Sequence, residues 1–263
     1  CIVSFLLGPG SPDASEPRPH LNETAQAVMD HLAMIEGEAM LTGYNVYVHT
    51  PDLYEQTGKR PAIHGRDLRW LPDDIDGIIE EIRREGYVFT VHWHWFFDGD
   101  SAWQGRRSEP VDVATLLDPE TREHAQLMRE LSDAADVLER FHEADIPVLW
   151  RPMHEIDGGW FWWTDKETPE NTAELWRVMF RYMVAERGLD NLIWVYSAGV
   201  GRPKSVEYRK RFYPGADYVD ISGIDIYNVE YREKDPAYWE YYRKMRAVSP
   251  GKMLVMGEGQ AYP

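Results

Sequence analysis

The sequence has little cysteine, little positive charge and no long apolar run. Cys1 is the single cysteine among 263 residues, which excludes internal disulfides and a cysteine-built zinc site. Lysine and arginine number 28 against 45 aspartates and glutamates, a net charge of −17. That charge repels phosphate backbones and anionic lipid heads, so no nucleic acid partner is expected. No stretch approaches the ~20 apolar residues that span a bilayer, so no membrane insertion is expected either. Neither G-x-G-x-x-G nor G-x-x-x-x-G-K-[ST] occurs, which removes the usual glycine-rich nucleotide cradles. There is no internal repeat and no low-complexity segment.

What is present is a globular composition, 43% hydrophobic, with 11 tryptophans and 15 tyrosines. Short apolar segments alternate with amphipathic ones. Strands are predicted at Ala39–Tyr47, Pro61–Leu68, Tyr87–Phe96, Pro147–Glu155, Asn191–Ser197, Tyr218–Tyr227 and Lys252–Glu258, each bounded by Gly, Pro or Asp. Helices are predicted between them. Asp74–Glu85 carries Ile75, Ile78, Ile79 and Ile82 on one face. Asp118 and Pro119 open a helix to Ala144 with a stripe of Leu127, Leu131, Ala134, Leu138 and Phe141. Thr168 and Pro169 open another that Gly188 ends, and a weaker one covers Tyr238–Ala247.

Strand–helix alternation means parallel βαβ units, either a closed (β/α)8 TIM barrel or an open doubly wound sheet. The barrel is preferred because His94, Glu155, Tyr227 and Glu258 fall at C-terminal strand ends, where a barrel carries its chemistry. Seven strands are visible. The eighth is expected beyond Pro263, with Ile2–Leu7 as the alternative filler of the gap. Residues 1–20 read as a mobile lead containing the Gly/Pro-rich Gly8–Pro19, and 21–263 as the catalytic barrel.

Four constellations carry chemistry. In Trp150–Trp163 an apolar strand ends in His154-Glu155, and a Gly158-Gly159 turn leads into Trp160-Phe161-Trp162-Trp163. Period-two alternation places Leu149, Arg151, Met153 and Glu155 on one face. Aromatic faces beside a carboxylate suit a sugar; the bland alternative is a buried Glu155 paired with Arg151. In the second, Glu258 ends a strand between Gly257 and Gly259. Two carboxyls on different barrel strands can flank a glycosidic oxygen. At ~5–5.5 Å one attacks while the other protonates the leaving group, and at ~6.5–9.5 Å a water fits between them. In the third, Gly223, Asp225 and Tyr227 share a face, and Tyr227 is a candidate donor to Glu258. In the fourth, His92-Trp93-His94-Trp95, His94 is read as a substrate hydrogen-bonder and Trp93 or Trp95 as a stacking face. The same His92/His94 pair also suits a metal-dependent amidohydrolase, though no metal and no cofactor is the preferred reading.

Together these motifs resemble glycoside hydrolase family 26, known chiefly for endo-β-1,4-mannanases. The resemblance runs through Leu41-Thr42-Gly43, Arg60-Pro61-Ala62-Ile63, the His94 region, Arg151-Pro152-Met153-His154-Glu155, Trp160-Phe161-Trp162-Trp163, Trp194-Val195-Tyr196, Gly223–Tyr227 and Glu258. It implies a retaining (β/α)8 enzyme with Glu155 as acid/base and Glu258 as nucleophile. His154 would support Glu155, Tyr227 would hydrogen-bond Glu258, Trp160 would shape the sugar site and His94 would contact the substrate; Trp95 and Trp163 are further candidate sugar contacts, read from the aromatic clusters themselves. Asp157 departs from the family's usual Asn, and Gly257-Glu258-Gly259-Gln260 departs from its usual Ser-Glu-Phe-Gly surround. The implied substrate is a neutral β-linked polysaccharide or oligosaccharide, first of all β-1,4-mannan, acted on by a secreted or cell-surface protein. A β-1,3/1,4-glucanase, a β-1,3-xylanase and a non-catalytic sugar-binding protein are the alternatives.

Overall fold

The computed structural model describes residues 2–5, 18–45, 55, 58–199, 204–227 and 236–259. Its strands, in sequence order around one closed barrel, are β1 (Ile2–Phe5), β2 (Thr42–Asn45), β3 (Ile63–Asp67), β4 (Val88–His92), β5 (Val148–Arg151), β6 (Leu192–Gly199), β7 (Ile221–Ile226) and β8 (Met253–Gly259). From β2 to β8 every neighbouring pair is parallel. This is the TIM-barrel architecture, with seven parallel strands and helices outside. The gap between β8 and β2 is occupied by β1, which runs antiparallel to both. Its direction is opposite to that of a regular eighth strand, and no eighth parallel strand lies among the described residues. Of the lead expected at 1–20, residues 6–17 lie outside the described residues, while Arg18 and His20 both reach the buried carboxylate of Asp220.

The helices are α1 (Glu23–Ile35), α2 (Ile75–Glu85), α3 (Val113–Leu117), α4 (Arg122–Glu143), α5 (Pro169–Phe180), α6 (Val206–Lys210) and α7 (Pro236–Val248). Helix α2 buries Ile78, Ile79 and Ile82 against the barrel. Helix α4 starts three residues later than expected. The Thr121 hydroxyl accepts the His124 amide at 3.0 Å and caps it, while Asp118 ends the short α3. A side-chain oxygen three residues before a free amide is the stronger start signal.

Helix α1 has no counterpart in the sequence reading. Ala25, Met29 and Leu32 bury their i, i+4, i+7 face against Ile63, Ile193, Ile221 and Met253, residues at the N-terminal ends of four strands. The helix therefore plugs the bottom of the barrel. Above it Leu149, Val195, Ile221 and Val255 fill the interior with Asn45 and Thr90, leaving a void of about 20 Å³ below Arg151. A filled interior confines ligands to the upper rim.

The last strand contains the feature that positions the rim. Ile224 pairs with Met256 but Asp225 pairs with Glu258, so Gly257 is an extra residue, a β-bulge. Val255 and Gly257 both line the interior, and strict alternation would send Glu258 outward. The bulge turns it back in. Gly257 has no room for a side chain: an added Cβ would lie 2.4 Å from Asp225 Oδ1 and 3.1 Å from Ser197 Oγ. Gly257→Ala is expected to destabilise the protein by about 1–3 kcal/mol through overpacking, read as a lower urea midpoint at unchanged m value.

Candidate active site

Arg151 ends β5 pointing into the barrel, with 4% of its surface exposed. Its guanidinium contacts Asp225 Oδ2 at 3.0 Å through Nη1 and Glu258 Oε1 through Nη2. The pairing of Arg151 with Glu155 weighed from sequence is thus replaced by pairing with two other strands' acids. Tyr227, just past β7, donates its hydroxyl to the other oxygen of Glu258. Burial alone would push the Glu258 carboxyl up. The Arg151 guanidinium first, with the Tyr227 hydroxyl, outweighs it and holds the group below the usual carboxylate range. Asp225, fully buried beside it, moves the other way, raised by desolvation and by Glu258 against the pull of Arg151.

Glu155 does not reach the rim by strand alternation, as the sequence suggested. Strand β5 stops at Arg151, and Met153 packs in the outer apolar core. The chain then turns, and Glu155 adopts φ +51, one of three non-glycine residues with positive φ among the described residues. The turn is pinned by Ile156 N–H to the Ser197 carbonyl at 3.0 Å and Gly158 N–H to the Glu155 carbonyl at 2.7 Å. Gly199, at the end of β6, gives it room: a Cβ there would lie 3.0 Å from Trp160 Cζ2 and 3.2 Å from Glu155 Cβ. Trp160 donates Nε1–H to Glu155 Oε2 at 2.6 Å. Desolvation, then Asp225 and Glu258, raise the Glu155 carboxyl to about 8, although the Trp160 bond and Arg151 oppose them. Neighbouring carboxyls pushed in opposite directions form an acid and an anion at neutral pH.

The turn is held from behind by Asp157, which is fully buried. It accepts Gly199 N–H at 2.9 Å and pairs with Arg209 at 2.7 Å, while Lys204 bonds its carbonyl. Arg209 in turn donates to the Gly199 carbonyl at 3.1 Å. The acid at 157 therefore has a buried cation to match it.

His94 lies beyond the end of β4 with its ring partly exposed, and its Nδ1 bonds Asp67 Oδ2 at 2.7 Å. Asp67, the last residue of β3, also accepts the His94 amide at 3.3 Å and stands 3.7 Å from His92 Nε2. Desolvation raises its carboxyl, but the His94 bond and both rings carry it lower overall. With the carboxylate on Nδ1, that nitrogen is the one that donates, and the ring is oriented with Nε2 away from Asp67. His154 is buried between His94, 4.6 Å away edge to face, and Phe161 at 4.8 Å. Burial, then His94 and Arg151, hold it well below the ordinary imidazole range, as a neutral ring.

Asp67, His92 and His94 also place three ligand atoms within 4.8 Å of one another, the metal-like cluster of the described residues. The donor set is plausible for zinc. However, burial and the nearby Arg151 guanidinium lower His92 to about 4, so a resident cation already shares the space.

Trp95 and Trp163 correct the sequence reading. Trp95 is 1% exposed and Trp163 fully buried. Trp95 points outward, donating to Glu130 of α4 at 2.5 Å and stacking on Trp93 at 4.1 Å. Trp163 donates to the His154 carbonyl at 3.3 Å and stacks on Phe161. Both are walls rather than sugar contacts. The 160–163 segment pairs with 102–104, through Trp162 N–H to Ala102 and Gln104 N–H to Trp160, which covers all its rings but Trp160. The same pairing brings in Trp103, which the motif reading had not singled out, stacked 5.1 Å from His94. Asp67 was also missed, being a lone acid at a strand end with no local pattern around it. Arg209→Met is expected to cost about 3–5 kcal/mol by stranding part of the buried charge of Asp157. Equilibrium urea unfolding checks this, and a loss within 0.5 kcal/mol (about the scatter of surface substitutions) refutes it.

The family model for Glycosyl hydrolase family 26 matches residues 17–261. A mannan endo-1,4-β-mannosidase of Bacillus subtilis is 32% identical over 86% of this chain and 71% of its own length. One of Thermothelomyces thermophilus is 29% identical over 100% of this chain and 57% of its own. Among solved structures, a β-mannanase from a symbiotic protist of the termite Reticulitermes speratus, complexed with a gluco-manno-oligosaccharide, superposes with a TM-score of 0.80. It is 26% identical, over 95% of this chain and 83% of that one. A Podospora anserina β-(1,4)-mannanase gives 0.79 at 27% identity, over 97% of this chain and 60% of that one. The chain thus spans little more than half the length of some relatives it matches.

Proposed function

We propose that this chain, which belongs to glycosyl hydrolase family 26, is a retaining endo-β-glycanase that hydrolyses a neutral β-linked polysaccharide, foremost β-1,4-mannan. The observation that carries this reading is the unequal environment of two carboxyls. Glu258 is ionised against Arg151 and Tyr227, while Glu155 is held protonated beside Trp160. The named relatives are mannan-cleaving enzymes, which favours mannan over the glucanase and xylanase alternatives. A polymeric substrate does not cross membranes, which favours a secreted or cell-surface location.

In the first step Glu155 gives its proton to the glycosidic oxygen while Glu258 attacks the anomeric carbon, and the leaving sugar departs with a hydroxyl. In the second, the Glu155 carboxylate takes a proton from water, whose oxygen displaces Glu258. Tyr227 and Arg151 keep Glu258 aimed and ionised. Trp160 orients Glu155 by donating its indole N–H to Oε2, a hydrogen bond that adds no charge. His94, presenting Nε2, and the face of Trp160 contact the sugar, and neutral His154 packs behind them without opposing the proton on Glu155.

Glu155→Gln is expected to lower turnover of polymeric mannan about 10²- to 10⁴-fold, the worth of a positioned general acid, with binding of the polymer retained. Glu258→Ala is expected to abolish turnover, and retention of most activity would refute its role. Because Glu155 must be protonated to act, wild-type kcat/KM is expected to fall as pH rises through about 8. On an aryl glycoside whose leaving group needs no proton, the Glu155→Gln variant is expected to lack that alkaline limb.

Products from mannan, β-glucan and xylan oligosaccharides, followed by NMR, are expected to retain β configuration and to be richest from mannan. Turnover is expected to be unchanged in EDTA; a loss reversed by zinc would instead install Asp67, His92 and His94 as a metal centre.

A further inference from the structure

Two cations and one anion meet behind the turn that carries Glu155. Asp157 is fully buried, and Arg209, 1% exposed, pairs with its Oδ2 at 2.7 Å. Lys204 stands 3.7 Å from Oδ1 of the same carboxylate and donates to the Asp157 backbone carbonyl. Ser205 Oγ accepts the Tyr208 amide at 3.1 Å and caps α6, which fixes Lys204 just ahead of the helix, with Tyr208 and Arg209 inside it. Asp157 and Arg209 offset each other, so Lys204 leaves one positive charge in surplus. The buried pair would be complete without it.

That charge reaches the acid through Trp160. The Lys204 ammonium lies 5.8 Å from the Trp160 ring and 5.7 Å from that of Tyr208, within cation–π reach of both. The Trp160 ring rests on the backbone of Gly158 and Gly199, where an added Cβ would come within 2.5 Å and 3.0 Å of it. Backbone and ammonium together fix the indole whose Nε1–H bonds Glu155.

The charges around the two groups differ. Arg151, Asp225 and Glu258 face Glu155 from β5, β7 and β8. Asp157, Arg209 and Tyr208 face Lys204 from the turn and from α6. Burial lowers the Lys204 ammonium from its ordinary value; Asp157 opposes this, Arg209 adds to it, and Glu155 favours the charged form. In the free protein the pull of Lys204 on Glu155 loses to desolvation, Asp225 and Glu258, and the acid keeps its proton. Once Glu258 is esterified its negative charge is gone, and Lys204 then favours the carboxylate that must act as base.

We propose that Lys204 is a positioning residue for the acid/base Glu155, pinning the Trp160 ring and keeping a compensating positive charge behind the carboxyl through both steps of the reaction. The inference rests on the glycanase reading above and adds to it a residue that acts through Trp160.

The test is the pH dependence of two quantities in wild type, Lys204→Gln and Lys204→Arg. The alkaline limb of kcat/KM on mannan reads Glu155 in the free enzyme. The acid limb of kcat on an aryl glycoside, whose departure is fast enough that the second step limits, reads it in the glycosyl-enzyme. Removing a positive charge raises a carboxyl. Lys204→Gln, which keeps a donor for the Asp157 carbonyl, is therefore expected to move both limbs up by about 0.5–1 unit. Its plateau kcat/KM on mannan is expected to fall about threefold, because a weaker acid transfers its proton less readily. Lys204→Arg, which keeps the charge, is expected to hold both limbs at their wild-type positions. Limbs that stay or move down in Lys204→Gln overturn the proposal, as does a loss equal at every pH, the mark of a merely structural brace. Limbs displaced in Lys204→Arg overturn it as well, whether or not Lys204→Gln folds. In each of these cases the glycanase reading stands. Absence of cleavage of any mannan, glucan or xylan by wild type overturns both.

Discussion

A single buried cation serving too many buried anions is the constraint on which the site depends. Arg151 rises through the barrel interior into a space that also holds Asp225 and Glu258, with Glu155 at the edge. In a medium of low dielectric, one positive charge cannot keep three carboxyls ionised. The guanidinium and the Tyr227 hydroxyl converge on Glu258, so ionisation settles there. Glu155, whose Oε2 accepts a hydrogen bond from an uncharged indole N–H, is the group left to carry a proton. The division between an anion and an acid follows from where the one cation sits.

The backbone supplies the directions. Neither carboxyl occupies a position that regular strand geometry would choose. A bulge returns Glu258 to the interior, and a left-handed residue swings Glu155 over the rim. Each irregularity is supported by a neighbour that has made space, Gly257 against Asp225 and Gly199 against Glu155 and Trp160. A non-glycine residue with positive φ costs of order 1–3 kcal/mol. The bonds from Ser197, Asp157 and Arg209 around the turn are of a kind to offset it.

Much of this was legible in the sequence where the residue pattern acts locally. The seven strands and the barrel class follow from short apolar runs between amphipathic helices. Glu155, Tyr227 and Glu258 announce themselves as polar residues ending apolar strands. What could not be read is whatever depends on contact across the barrel. The role of Arg151 is set by β7 and β8, and that of Asp67 by a histidine 27 residues away. Trp95 and Trp163 look identical in sequence to ligand-facing rings, and only the packing of α4 and of the 102–104 segment turns them into walls. Helix α1 escaped because its short apolar face plugs a barrel end rather than covering a strand. Alternation along β5 suggested the right rim position for Glu155 for the wrong reason, since the strand ends four residues earlier.

The left-handed turn at Glu155 has a consequence for engineering. Transplanting the acid alone to the same strand end of another barrel would aim it elsewhere, because its direction is stored in the hand of the backbone. The portable unit is the whole segment from Arg151 to Trp160 together with the Ser197–Gly199 edge that braces it, a module spread over two adjacent strands.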